Sequence, residues 1–196
     1  MTGAVFWYTP FVNKNTETEI KFLKIDTKVL IKKLHSLQAN DLGEDLFREI
    51  IFYSKNSDFK KEKKIVRLRK TREGYFLTYK ERPFIETSTT IEIEIRVDDE
   101  ERTIALLEKL GLVAYRIQEK KRHSFIYNNV KVDIDTWPGI PSYVELEGET
   151  EEKLLEVAKK LNLKGDFRVE AAGKILENFY NIPIHDLKFF TFDKVE

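Results

Sequence analysis

The sequence predicts an α+β fold: an antiparallel, eight-stranded closed β-barrel with helices packed on the outside. Three observations predict it. First, segment after segment alternates charged and apolar residues with period two, which sends neighbouring side chains to opposite faces of a strand. Second, the charged faces are nearly pure Lys, Arg, Asp and Glu, in a chain of 196 residues with 34 basic and 34 acidic groups. A solvated sheet face tolerates any mixture of polar residues, whereas a sheet closed around a charged interior accounts for this purity. Third, stretches with apolar residues at helical spacing lie between and after the strands, suited to cover the apolar outer faces.

The elements follow in order. Residues 1–16 read as an irregular lead-in. Residues 17–25 form a strand on which Glu17, Glu19 and Lys21 share a face. Asp26 is placed to cap a helix over 27–38, with Leu30, Leu34 and Leu37 on one side. Residues 48–54 read as a strand and 57–64 as a basic, solvated loop. Residues 64–70 and 75–81 flank a turn at Arg72-Glu73-Gly74, a hairpin signal. Arg67 and Arg69 share one face of the first arm; Thr78, Lys80 and Arg82 share one face of the second. Residues 90–97 place Glu92, Glu94 and Arg96 opposite Ile91, Ile93 and Ile95. Asp98 and Asp99 can cap a helix over 101–110, buried through Ile104, Leu107 and Leu110 and ended by Gly111. Residues 114–127 carry Arg116, Gln118, Lys120 and Arg122 on one face. Residues 130–135 carry Lys131, Asp133 and Asp135, after a turn at Asn128-Asn129. Residues 143–148 put Glu145 and Glu147 opposite Val144 and Leu146. Helices are expected over 151–161 and 169–180. The late aromatics Phe179, Phe189, Phe190 and Phe192 suggest a tail packed on the barrel exterior or against a partner.

Composition narrows the function. Net charge is zero, so a nucleic-acid polymer is not the expected partner. Zero cysteines exclude disulfides, thiolate metal sites and a cysteine nucleophile. No apolar run reaches the length of a membrane span, and Met1 to Pro10 do not resemble a signal peptide. The expectation is a cytoplasmic protein. His35, His123 and His185 show no common spacing, and Trp7 and Trp137 read as packing or rim residues.

An interior lined by Lys and Arg attracts a polyanion, because guanidinium forks match phosphate oxygens and lysine adds a point charge. Carboxylates beside them would repel that anion unless a cation bridged the two. Mg²⁺ does so, taking one or two carboxylates together with substrate phosphates. Basic and acidic rows together therefore point to a metal-bound polyphosphate.

The same blocks resemble the CYTH family, the triphosphate tunnel metalloenzymes, and most closely its class IV adenylate cyclase-like branch. Glu17, Glu19 and Lys21 match the Glu-x-Glu-x-Lys signature on the first strand. Val66-Arg67-Leu68-Arg69, Leu77-Thr78-Tyr79-Lys80, Glu92 with Glu94, Lys120-Lys121-Arg122, Val132-Asp133-Ile134-Asp135 and Val144-Glu145-Leu146-Glu147 follow in the family's order. The match covers about 15–165 of a single 1–196 domain, leaving 166–196 as C-terminal helix and tail. Ile140-Pro141-Ser142-Tyr143 departs from the family's glycine-rich turn. The resemblance implies a triphosphate gripped by Lys21, Arg67, Arg69, Lys80, Arg82, Arg96, Lys120, Arg122 and Lys131. It implies Mg²⁺ or Mn²⁺ held by Glu17, Glu19, Glu92, Glu94, Asp135, Glu145 and Glu147. Glu17, Glu19, Lys21 and Arg69 would be the catalytic set. Three activities stay open: hydrolysis of an inorganic, nucleoside or thiamine triphosphate; a class IV cyclase making cyclic AMP and pyrophosphate; and binding without chemistry. A homodimer is also left open.

Overall fold

The alternation seen in the sequence becomes strands wherever a charged face and an apolar face can be separated, and helices cover the apolar side. The computed structural model describes residues 16–59, 61–81 and 89–196, with residues 16, 17 and 89 described by backbone alone. The expectations for residues 1–15, including Trp7, and for Arg82 lie outside the described residues.

The chain runs through β1 (Thr16–Leu23), α1 (Thr27–Ser36), β2 (Asn40–Ser54), β3 (Lys64–Thr71), β4 (Gly74–Glu81), β5 (Thr89–Val97) and α2 (Glu100–Lys109). It continues through β6 (Leu112–Tyr127), β7 (Val130–Thr136), β8 (Tyr143–Gly148), α3 (Glu151–Leu161), β9 (Asp166–Arg168), α4 (Ala172–Asn178) and β10 (Phe189–Phe190). No described helix is long and apolar enough to cross a membrane.

The helix ends follow from their caps. Asp26 accepts a hydrogen bond from the Val29 amide, Asp99 from Arg102 and Thr150 from Lys153, each satisfying an amide the first turn leaves without a partner. Gly111 takes φ +85° just past α2, a conformation that favours glycine. Leu110, expected on the buried face of α2, is instead 68% exposed: it is the cap residue from which the chain turns away into β6.

The fold class is as expected: α+β, with an antiparallel sheet. Each strand from β1 to β8 has two neighbours, in the order β6-β2-β3-β4-β5-β1-β8-β7, and β7 pairs back onto β6. Closure, however, is incomplete. β1 meets β5 over three residue pairs, Thr16 to Thr18 against Ile91 to Thr89. Farther along, Lys21 to Leu23 pair with β9 instead. Among the described residues the sheet is therefore not closed along the length of β1: β5 pairs with it at Thr16 to Thr18, and β9 at Lys21 to Leu23. β10 joins β6 in parallel.

Two apolar cores lie outside the ring. Ile20 and Phe22 of β1, Val132 and Ile134 of β7, and Val144 and Leu146 of β8 pack under α1 and α3 through Leu30, Leu34, Leu154 and Leu161. Ile50, Phe52, Val66 and Leu68 pack under Leu107 of α2. A third cluster joins Leu23, Trp137 and Tyr143 to Ile175, Leu176, Ile184 and Phe190. Here the structure corrects the expected exterior tail. Phe190 is 1% exposed and stacks on Trp137, and the Ile184 carbonyl accepts from the buried Arg116 side chain. The tail thus lies against one end of the ring, where β7 finishes and β8 begins. The helix expected over 169–180 is shortened to α4, and residues 166–168 just before it join the sheet as β9.

Candidate active site

Alternation places one row of side chains from each strand toward the inside of the ring. The basic members arrive from five strands. Lys21 of β1 is fully buried, 3.0 Å from Glu19 and 3.3 Å from Glu145. Arg67 and Arg69 of β3 both reach Glu49 of β2, at 3.2 and 3.0 Å. Lys80 of β4 pairs with Glu92 of β5. Lys120 and Arg122 of β6 converge on Asp135 of β7, Lys120 at 2.8 Å and Arg122 through two bonds of 2.6 and 2.7 Å. Arg122 also reaches Asp133 at 2.5 Å and Glu145 at 2.9 Å. Lys131 of β7 lies 3.4 Å from Asp133 and 3.6 Å from Glu147.

The fork of Arg67 also lies 3.7 Å from Glu92 and 3.9 Å from Glu94, while its buried Nε has no hydrogen-bond partner among the described residues. Glu94 accepts from Thr78 at 2.7 Å. Phe47 of β2 presents its ring to Arg69, Lys120 and Arg122 at 5.0, 5.9 and 5.8 Å, giving the cations an apolar wall with a negative face.

These contacts set the charge states. Burial alone would raise Glu145, but Lys21, Arg122, Lys120 and Lys80 hold its carboxyl well below the usual range. Burial would likewise raise Asp135 and Glu49; Arg122 with Lys120, and Arg67 with Lys120, hold each of them down. Burial works against the Arg122 cation, yet Asp133, Asp135 and Glu145 keep it charged well above the ordinary range. Glu147 goes the other way. Burial pushes it up, nearby Glu145 and Asp133 add to the rise, and Lys131 and Arg122 oppose it without reversing it.

A divalent cation fits one corner of this interior. Ligand oxygens of Asp133, Glu145 and Glu147 lie within 4.8 Å of one another, two of the three residues being buried. Three carboxylates without nitrogen or sulfur suit a hard, oxygen-loving ion.

The structure thus gathers Glu19, Lys21, Arg67, Arg69, Lys80, Glu92, Lys120, Arg122, Lys131, Asp135, Glu145 and Glu147 around one interior. Glu94 stands at its more open side, with a side chain 35% exposed. Arg96 does not join them: it is exposed and donates to the Glu73 carbonyl at the β3–β4 turn. Glu17 faces Thr90 in the ladder, but its side chain, like all of Arg82, lies outside the described residues. Asp135, expected among metal ligands, is engaged by Lys120 and Arg122; Asp133, itself engaged by Arg122 and Lys131, is the acid grouped with Glu145 and Glu147 in the corner. Asp133 was legible as an inner-face residue two positions before Asp135. Glu49 was not, because it is a lone acid before the apolar run Ile50-Ile51-Phe52. Phe47 lies in the half of β2 that showed no alternation.

Residues 15–179 match the model of the CYTH domain. A Methanocaldococcus jannaschii protein provisionally named an adenylate cyclase is 28% identical over 162 residues, 76% of this chain and 91% of its own. A Pyrococcus horikoshii protein of solved structure superposes with a TM-score of 0.69 at 22% identity, covering 82% of this chain and 97% of its own. A Hippeastrum protein, provisionally named an adenylyl cyclase and described as having a dominant triphosphatase activity, superposes with a TM-score of 0.61 at 16% identity. That match covers 84% of this chain and 95% of the other.

Proposed function

The chain belongs to the CYTH domain family, and from that premise we propose that it is a divalent-metal-dependent triphosphatase of the cytoplasm. Its substrate is a small molecule bearing a triphosphate, held inside the ring. One observation carries the reading: cations from five strands, those of β1 and β6 buried, line a single interior beside a corner of three carboxylates. Buried charges in such number are costly to keep. An interior built to take a polyanion with a bridging cation gives them a use.

Lys21, Arg67, Arg69, Lys80, Lys120 and Arg122 grip the phosphate oxygens, with Lys131 toward the acidic end. The forks of Arg67 and Arg69 match phosphate oxygens two at a time, and Lys21 supplies a point charge. Phosphoryl transfer needs positioning and charge stabilisation more than covalent help, which is what such rows provide. Glu145, Glu147 and Asp133 would hold Mg²⁺ or Mn²⁺, with Glu19 close by through Lys21. When bound, the ion supplies charge neutralisation and a more acidic water. The neighbouring fold described as having a dominant triphosphatase activity supports hydrolysis; the relative provisionally named a cyclase keeps cyclisation of ATP as the second reading.

Product analysis tests this directly. ATP, thiamine triphosphate and tripolyphosphate are incubated in parallel with the protein and Mg²⁺ or Mn²⁺. Orthophosphate that disappears with chelator is expected, and the fastest substrate names the specificity. Cyclic AMP with pyrophosphate would move the assignment to a cyclase, and no product from any of the three would leave a binding protein. Glu19→Ala and Arg69→Ala are each expected to abolish turnover while circular dichroism stays unchanged; near-normal rates in both would refute the assignment.

A further inference from the structure

Glu49 has no place in the triphosphate reading. It is a buried acid, 1% exposed, set among the cations that would grip an anion. Its contacts suggest what it does. Glu49 Oε1 accepts from Arg69 Nε at 3.0 Å and lies 3.2 Å from Arg67 Nη1. Its other oxygen, Oε2, accepts from Gln118 Nε2 at 2.6 Å. The Gln118 carbonyl oxygen in turn accepts from Arg116 Nε at 2.9 Å, and Arg116 Nη1 donates to the Ile184 carbonyl at 2.6 Å. The bonds form one line from the C-terminal tail to the two arginines of β3.

The polarity of that line is fixed at every step. A guanidinium only donates, so Gln118 must turn its oxygen to Arg116 and its amide to Glu49. Glu49 must then accept on both sides, which only a carboxylate does. We propose that Glu49 is a positioning residue: it aims the forks of Arg67 and Arg69 into the interior, and through Gln118 and Arg116 it ties their aim to the tail at Ile184. This rests on the triphosphate reading above for what the forks grip. Rigid support of this kind is what holds a binding group in its productive geometry.

The inference opposes simple electrostatics, which makes it testable. Removing a negative charge beside the phosphate site should tighten anion binding if charge balance alone matters. If Glu49 aims the forks, Glu49→Gln should weaken it, because the new amide meets either Arg69 or Gln118 donor to donor. Calorimetric titration with tripolyphosphate in the presence of Mg²⁺ is expected to show a loss of about 10-fold or more for Glu49→Gln. Gln118→Met breaks the same line without a charge change, should lose affinity in the same direction, and serves if Glu49→Gln does not fold. Affinity unchanged or improved in the folded variants overturns the inference. A second readout needs no ligand: the Arg69 Nε–H resonance should be protected from solvent exchange in the parent and lose protection in both variants. Tripolyphosphate that fails to bind even the parent would refute the triphosphate reading instead, and the Arg69 resonance would then decide the positioning by itself.

Discussion

Two glutamates two positions apart on β8 show how strongly neighbours set a charge. Glu145 sits among Lys21, Arg122, Lys120 and Lys80, which overcome the penalty of burial and hold its pKa well below 4.5. Glu147 is pushed above 4.5 by burial and by Glu145 and Asp133. The consequences for stability have opposite signs. A depressed folded-state pKa contributes stability that is present above 4.5 and is lost as pH falls through the folded value. A raised one makes the ionised form a liability at neutral pH. Without metal, Glu145→Gln should therefore lower Tm at pH 7, with the difference fading as pH drops below 4.5. Glu147→Gln should raise Tm at pH 7 and at the same time reduce the further rise produced by Mg²⁺. Thermal melts of both variants across pH, with and without Mg²⁺, check the pair. A destabilised Glu147→Gln would mean that this carboxylate is satisfied without an ion.

Among the elements, the short strand β9 depends on one glycine. A Cβ on Gly165 would lie 1.9 Å from the Leu23 carbonyl oxygen and 2.6 Å from Ile25 Cδ1, so the chain can cross β1 there only without a side chain. Gly165→Ala should cost about 1–3 kcal/mol in denaturant unfolding, as forced overpacking does, and should unprotect the amides of β9 in hydrogen exchange. The contrast with β3 explains what could be read in the sequence. Val66-Arg67-Leu68-Arg69 shows its two faces in four residues, so both its strand and its inner charges were legible. β9 has three residues and β10 two, too short for any period to appear. Their existence is decided by what they meet: the edge of β1 at Lys21 to Leu23, and the edge of β6 beside Trp137. The first half of β2 failed for a related reason. Its residues 40–47 are held in the sheet by pairing with β6 and not by a buried apolar face, so tertiary contact overrides a weak local pattern.

Over the whole molecule, the interior is close to neutral before any ligand arrives. Among the described residues, Lys21, Arg67, Arg69, Lys80, Arg116, Lys120, Arg122 and Lys131 face Glu19, Glu49, Glu92, Glu94, Asp133, Asp135, Glu145 and Glu147, eight of each sign. That balance lets the ring fold empty, since every one of these cations but Arg116 lies beside a carboxylate, and Arg116 donates to Gln118 and the Ile184 carbonyl. It also predicts what the ring accepts. A bare triphosphate would bring several uncompensated negative charges into a neutral interior, whereas a triphosphate with divalent cations enters nearly neutral. Tripolyphosphate with Mg²⁺ together should therefore raise Tm by much more than the sum of either alone. At a ligand concentration 100-fold above Kd the mass-action gain is about 2.7 kcal/mol, which at this chain length corresponds to roughly 5–11 °C. A four-arm melt with buffer, Mg²⁺, tripolyphosphate and both reads this out. Equal shifts for tripolyphosphate with and without Mg²⁺ would show that the cation rows act alone and that the acidic corner serves to balance charge and not to hold an ion.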